Sequence, residues 1–287
     1  MVSTVLITVI SLSSIALIAA VILYLIAQKF KVFEDPRIDE VQELLPAANC
    51  GGCGFAGCRN FAEAIVKADN FDNLNCPVGG SATMEQVATL LGREAPLVEP
   101  KVAVLLCNGS PESRPKTSSY LGVPDCRIAN SLYLGETDCA YGCLGYGDCV
   151  KACTFDAIYM NNETGLPVVK DDKCVACGAC VKACPRNLLE LRKKAKKDRK
   201  IYVACSNCDK GGPARRACKV ACIACGKCVK VCAFEAVTIE NNLAYIDAAK
   251  CTFCRKCAPE CPTGSIIEVN FPPRKPKVEI QTENITA

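Results

Sequence analysis

The 287-residue sequence predicts an α+β chain: one membrane-length helix, then small domains held together by cysteines rather than by large apolar cores. Three observations carry this. No charged side chain occurs before Lys29. Twenty-five cysteines then fall in closely spaced groups, and the chain has no histidine. The second half of the cysteine-rich part repeats the first.

The N-terminal element comes from Val5 to Ala27, an almost unbroken run of Leu, Ile, Val, Ala and Ser. It exceeds the roughly 20 residues needed to span a bilayer core. A secretory signal would begin with positive charge, have a shorter apolar stretch and end at a small-residue cleavage site. A buried core helix would show a polar face. This segment fits neither, so residues 1–28 are read as an uncleaved single-span anchor. Lys29, Lys31 and Arg37 follow it at once, which by the positive-inside rule leaves the rest of the chain on the cytoplasmic side of the cell (inner) membrane. A reducing cytoplasm also suits so many thiols.

The run Cys174-x-x-Cys177-x-x-Cys180-x-x-x-Cys184-Pro185 has the spacing by which bacterial ferredoxins hold [4Fe–4S] clusters. It recurs at Cys222 and Cys251, with a distorted copy starting at Cys139. Thiolates are soft ligands suited to iron. Absence of histidine excludes a Rieske centre, a His-ligated haem and a Cys₂His₂ zinc finger. Intervals of two or three residues suit ligands converging on one inorganic body better than disulfides between distant strands. Cys₄ zinc is the better rival, but it usually appears as two separated pairs. Net charge is only +4, which gives no support for nucleic-acid binding.

Four blocks and a tail follow the anchor. Residues 34–95 form a small 4Fe-4S domain, with Cys50, Cys53, Cys58 and Cys76 and a helix from Ser81 to Leu91. Ser81-x-x-Met84-Glu85 suggests its capped start, and Gly92 its stop. Residues 96–132 are a connector holding a buried strand, Lys101 to Cys107. Residues 133–198 and 199–270 are two tandem units, and 271–287 a Pro/Lys/Asn tail expected to be disordered. The units look duplicated. Cys139-Ala-Tyr-Gly-Cys143-Leu-Gly-Tyr-Gly-Asp-Cys149-Val-Lys-Ala-Cys153 aligns without gaps on Cys218-Lys-Val-Ala-Cys222-Ile-Ala-Cys225-Gly-Lys-Cys228-Val-Lys-Val-Cys232. Phe155 to Tyr159 matches Phe234 to Thr238, and Asn161-Asn162 and Asn241-Asn242 mark the turns before the returning strands. Lys101 to Cys107 likewise echoes Lys200 to Cys205. This is the order of a two-cluster ferredoxin written twice: two tandem ferredoxin-like units, each holding two [4Fe–4S] clusters.

In such ferredoxins the fourth cysteine of each motif crosses to the other cluster. The second unit then gives one set of Cys222, Cys225, Cys228 and Cys261, and another of Cys232, Cys251, Cys254 and Cys257. In the first unit Cys153, Cys174, Cys177 and Cys180 make the regular set. Its companion takes Cys184 with Cys139, Cys143 and Cys149, because Tyr146 stands in the place of Cys225. Cys50, Cys53, Cys58 and Cys76 hold a further cluster, with glycines letting the loop wrap closely. That makes at least five [4Fe–4S] clusters. Cys107, Cys126, Cys205, Cys208 and Cys218 remain; the sequence leaves open whether a sixth site lies among them and assigns no ligands to it. The duplication pairs Cys107 with Cys205 and Cys139 with Cys218. The basic run from Arg192 to Lys200 reads as a solvated linker, with a docking patch for an acidic donor or for anionic lipid as alternatives. No dinucleotide fold, flavin site or catalytic Ser/His or carboxylate arrangement is visible. The chain is expected to relay electrons and to carry no catalytic residue of its own.

Together the anchor, Cys50-x₂-Cys53-x₄-Cys58…Cys76-Pro77, Leu106-Cys107-Asn108-Gly109 and Gly142-Cys143-Leu144-Gly145-x-Gly147-Asp148-Cys149 resemble the B subunits of Rnf electron-transport complexes (RnfB, also called RsxB). The chain looks like the longer type, with a second ferredoxin unit. The resemblance implies a redox-driven ion translocase that passes electrons between ferredoxin and NAD⁺. Its B subunit would take electrons from soluble ferredoxin and hand them to a flavin/NAD-binding peripheral subunit or to polytopic membrane subunits. The alternatives are a membrane-anchored polyferredoxin of another complex (a hydrogenase or a transcription-factor-reducing system) and an iron–sulfur redox sensor.

Overall fold

The computed structural model of the chain describes residues 2–29, 35–71, 74–95, 99–132 and 135–274. The architecture is mixed helix and strand. Helix α1 (Val2–Lys29) is 28 residues long, about 42 Å at 1.5 Å per residue. That exceeds a hydrocarbon core of about 30 Å. Its described apolar side chains are exposed throughout, and it is long and apolar enough to cross a membrane. Lys31 and residues 275–287 of the tail lie outside the described residues.

Helices α2 (Arg37–Leu44), α3 (Cys58–Lys67) and α4 (Gly80–Leu91) make a small domain. Its core joins Ile38 and Val41 of α2, Phe61 and Ile65 of α3, and Met84 and Val87 of α4. Phe61, Ala62, Ile65 and Val66 are buried, a spacing that puts them on one face of α3. Gly92 ends α4 in the left-handed region (φ 64°) and donates to the Ala88 and Thr89 carbonyls, as the sequence predicts. The start of α4 differs. The helix begins at Gly80 after Gly79, and no side chain caps it.

The first unit runs through β1 (Lys101–Leu105), α5 (Cys126–Leu132), α6 (Asp148–Lys151), β2 (Ile158–Met160), β3 (Pro167–Val169), α7 (Ala179–Ala183) and β4 (Leu189–Lys193). The second runs through β5 (Lys200–Val203), α8 (Gly211–Ala217), α9 (Lys227–Lys230), β6 (Val237–Glu240), β7 (Leu243–Ile246) and β8 (Ile266–Val269). In each, the first strand pairs antiparallel with the last and the two inner strands form a hairpin. Ala103 lies opposite Leu191, and Tyr202 opposite Ile267. The β6–β7 hairpin turns on Asn241 and Asn242, both at positive φ (48° and 60°), a conformation that two-residue hairpins need and Asn tolerates. The strand expected in the 96–132 connector is β1. Strand β1 pairs with β4 along its whole length, and the Leu106 N–H donates to the Leu188 carbonyl at 2.7 Å.

The two units share a core, where Val102 and Val104 of β1 meet Tyr202 and Ala204. The basic run over 192–200 is internal at both ends, so it is not simply a solvated linker. Lys200 is buried and binds both carboxylate oxygens of Asp171 at 2.6 and 2.7 Å. Arg192, only 3% exposed, donates across the junction to the carbonyls of Ile201 and Ile246. Its guanidinium also lies over the Tyr202 and Tyr245 rings, 5.8 and 5.0 Å from their centroids. Arg192→Ala should therefore strand two buried carbonyls and cost about 2–4 kcal/mol. The expected readout is an earlier thermal transition of the intact protein, with Arg192→Lys intermediate.

Candidate metal centres

All twenty-five thiols are free, and twenty of them line five cavities, four to each. Cys50, Cys53, Cys58 and Cys76 line an open cavity of about 320 Å³ beside Phe61. Helix α3 begins at Cys58, whose N–H donates to Asn49 Oδ1 at 2.9 Å, tying the first ligand loop to the helix. The Gly79 N–H donates to Cys76 Sγ at 3.4 Å. In the second unit, Cys222, Cys225, Cys228 and Cys261 line a cavity of about 340 Å³. Cys232, Cys251, Cys254 and Cys257 line another of about 330 Å³. In the first unit, Cys180 has Cys174, Cys177, Cys149 and Cys153 as electrostatic neighbours, which include its three partners in the regular set.

The remaining set of the first unit differs from the sequence expectation. A cavity of about 400 Å³ is lined by Cys126, Cys143, Cys149 and Cys184, with Cys126 where Cys139 is expected. Cys139 instead lines a cavity of about 300 Å³ with Cys107, Cys205 and Cys218. The cause is local. Tyr146 aligns with Cys225 of the second unit, and Cys126, the first residue of α5, lines the cavity with Cys143, Cys149 and Cys184. Asp148, in the place of Lys227, holds Cys126 there: its buried Oδ2 accepts from the N–H groups of Cys126 and Arg127, at 3.0 and 3.3 Å. The paired exchange of Tyr146 for Cys225 and Asp148 for Lys227 is the signal that points to Cys126. Cys208 lines none of these cavities; its thiol donates to the Ser206 carbonyl at 3.7 Å.

The loops are wound for ligation. Gly147, Gly178 and Gly226, each left-handed, precede α6, α7 and α9. Between ligands, Ala176, Ala224, Phe253 and Arg255 also sit at positive φ (51–66°), a conformation that costs side-chain-bearing residues about 1–3 kcal/mol and tends to cluster at binding sites. Burial pushes the Cys143, Cys180 and Cys257 thiols up to about 12, and neighbouring thiols push the same way. Burial also acts to raise Cys261, but hydrogen bonds with the Ser265 and Thr263 hydroxyls outweigh it and hold that thiol below its usual value. Isolated thiolates would be costly here, so the sets call for a multivalent cation. Among the described residues no three Cys, Asp or Glu side chains close on a point fit for a single ion. Four thiols ringing a cavity, with backbone N–H groups aimed at sulfur, fit a cubane cluster better.

Sets are also neighbours. A Cβ on Gly52 would stand 3.0 Å from Cys177 Cα, so the helical domain abuts the first unit at their thiol loops.

Comparison with known proteins agrees with this site chemistry. A family model described as "Putative Fe-S cluster" matches residues 45–77, and "4Fe-4S dicluster domain" models match residues 138–189 and 221–265. The B subunit of the Na(+)-translocating ferredoxin:NAD(+) oxidoreductase complex of Acetobacterium woodii is 44% identical, over 93% of this chain and 78% of its own. The chain belongs to the family of B subunits of ion-translocating oxidoreductase complexes. Its counterpart in the proton-translocating ferredoxin:NAD(+) oxidoreductase complex of Clostridium ljungdahlii is 41% identical over 92% of each chain. The B subunit of the ion-translocating oxidoreductase complex of Methanosarcina acetivorans is 41% identical over 89% of this chain and 95% of its own. Iron–sulfur domains and membership of that family together make this an iron–sulfur protein of a redox complex.

Proposed function

We propose that this chain is a membrane-anchored electron relay of an ion-translocating ferredoxin:NAD⁺ oxidoreductase. It accepts electrons from soluble ferredoxin and passes them on to the flavin/NAD-binding and polytopic subunits of its complex. Helix α1 is its single span, and the thiol-bearing domains face the cytoplasm of the cell membrane. Five sets hold [4Fe–4S] clusters: Cys50, Cys53, Cys58 and Cys76; Cys126, Cys143, Cys149 and Cys184; Cys153, Cys174, Cys177 and Cys180; Cys222, Cys225, Cys228 and Cys261; and Cys232, Cys251, Cys254 and Cys257. When bound, such clusters take and give single electrons.

The observation that carries the reading is the succession of thiol sets. The Cys50 loop lies against Cys177, Cys180 lies beside Cys149 of the next set, and Cys257 beside Cys228. The role of these residues is to set the positions of the clusters. The test mixes the anaerobically purified full chain with pre-reduced ferredoxin. Bleaching of the visible absorbance by several electrons per chain is expected. A chain that dithionite reduces but ferredoxin does not would overturn the donor assignment. Deleting residues 1–28 should move the protein from the membrane fraction to the soluble one without loss of iron.

A further inference from the structure

The cavity at the junction of the two units is not among the five sets. Its thiols are Cys107 and Cys139 from the first unit and Cys205 and Cys218 from the second. They are equivalent pairs in the duplication. Cys107 follows β1 as Cys205 follows β5, and Cys139 precedes Cys143 by four residues as Cys218 precedes Cys222. The surrounding contacts repeat too: the Cys143 N–H donates to Cys107 Sγ at 3.5 Å, and the Cys222 N–H to Cys205 Sγ at 3.3 Å.

Two side chains complete the cavity. Asn207, 1% exposed, donates from Nδ2 to Cys139 Sγ at 3.5 Å, while its N–H donates to Cys205 Sγ at 3.4 Å. Arg114 is 9% exposed; its Nη2 donates to the Cys143 carbonyl at 2.7 Å, and its Nε has no hydrogen-bond partner. A Cβ on Gly142 would fall 1.8 Å from Arg114 Nη1, so glycine there makes room for the guanidinium. A buried cation with an unspent N–H, beside four thiols, calls for an anionic occupant. A cluster with four thiolate ligands is one.

We propose that Cys107, Cys139, Cys205 and Cys218 hold a sixth [4Fe–4S] cluster, shared between the units at their junction. This rests on the iron–sulfur reading above. The set stands one N–H···S contact from Cys143 of one unit and from Cys222 of the other, which closes the series of thiol sets across the junction.

The test counts clusters in the full chain, purified anaerobically, by iron and acid-labile sulfide and by native mass spectrometry. About 24 irons per chain are expected, against about 20 for five clusters. Cys218→Ala should lower the count by about four, and Cys208→Ala should leave it unchanged. If Cys218→Ala fails to fold, Cys107→Ala carries the same prediction, and the wild-type mass decides between five and six without any substitution. Five clusters in the wild type, or no loss in the variants, would overturn the proposal and leave the five-set reading standing. Far fewer than 20 irons would overturn both.

Discussion

Cys126→Ala should remove one cluster, about four irons per chain. The thiol lies in sequence far from the motif it completes, yet it shares a cavity with Cys143, Cys149 and Cys184. The sharper test is the double variant. If Cys126 and Cys139 serve separate sets, Cys126→Ala and Cys139→Ala together should lose about eight irons, the sum of the single losses. If both belonged to one set, the double variant would lose no more than either single. Asp148→Ala is the companion. It removes the carboxylate that accepts from the Cys126 and Arg127 N–H groups, a capping contact worth about 0.5–2 kcal/mol. The resulting protein should load its iron but surrender the Cys126 cluster first to a mild chelator. Asp148→Asn keeps an acceptor oxygen and should stay close to wild type.

The same residues show what a sequence can say about such a chain. Ligand spacing is local, so the regular motifs at Cys174, Cys222 and Cys251 are legible, as are the hairpin at Asn241-Asn242 and the helix stop at Gly92. Spacing says less where a thiol arrives from another element. Cys126 stands at the start of α5, and alignment of Cys139 on Cys218 shows their equivalence without showing that both line the cavity at the junction. Strand pairing is equally non-local. Lys101 to Leu105 reads as a strand, but only its register against β4 makes it part of the first unit. Arg192 and Lys200 look like a solvated run because charge suggests exposure. Their burial depends on Tyr202, Tyr245 and Asp171, from other parts of the chain.

Complete removal of iron should unfold residues 101–269 while α2–α4 keep part of their structure. The sheets in this region have two strands each, and isolated two-stranded pairs are marginal in water. Their buried clusters are small, and much of their lining is cysteine: Cys222, Cys228 and Cys257 in the second unit, Cys149 and Cys180 in the first. Ala176, Ala224, Phe253 and Arg255 hold left-handed conformations that the bare chain has reason to leave. In such domains the free energy of binding metal is largely the free energy of folding. The α2–α4 domain differs, because Phe61, Ile65, Met84 and Val87 are nearly inaccessible and Cys76 is the one thiol among the buried residues of that core. Hydrogen exchange on the full chain, before and after anaerobic chelation, separates the two regions. Amides of β1, β4, β5 and β8 should lose protection nearly completely, whereas those around Ile65 and Val87 should keep a fraction. Protected strands that survived the loss of all iron would mean that the two units fold on their apolar contacts, with the thiols arranged by the fold rather than arranging it.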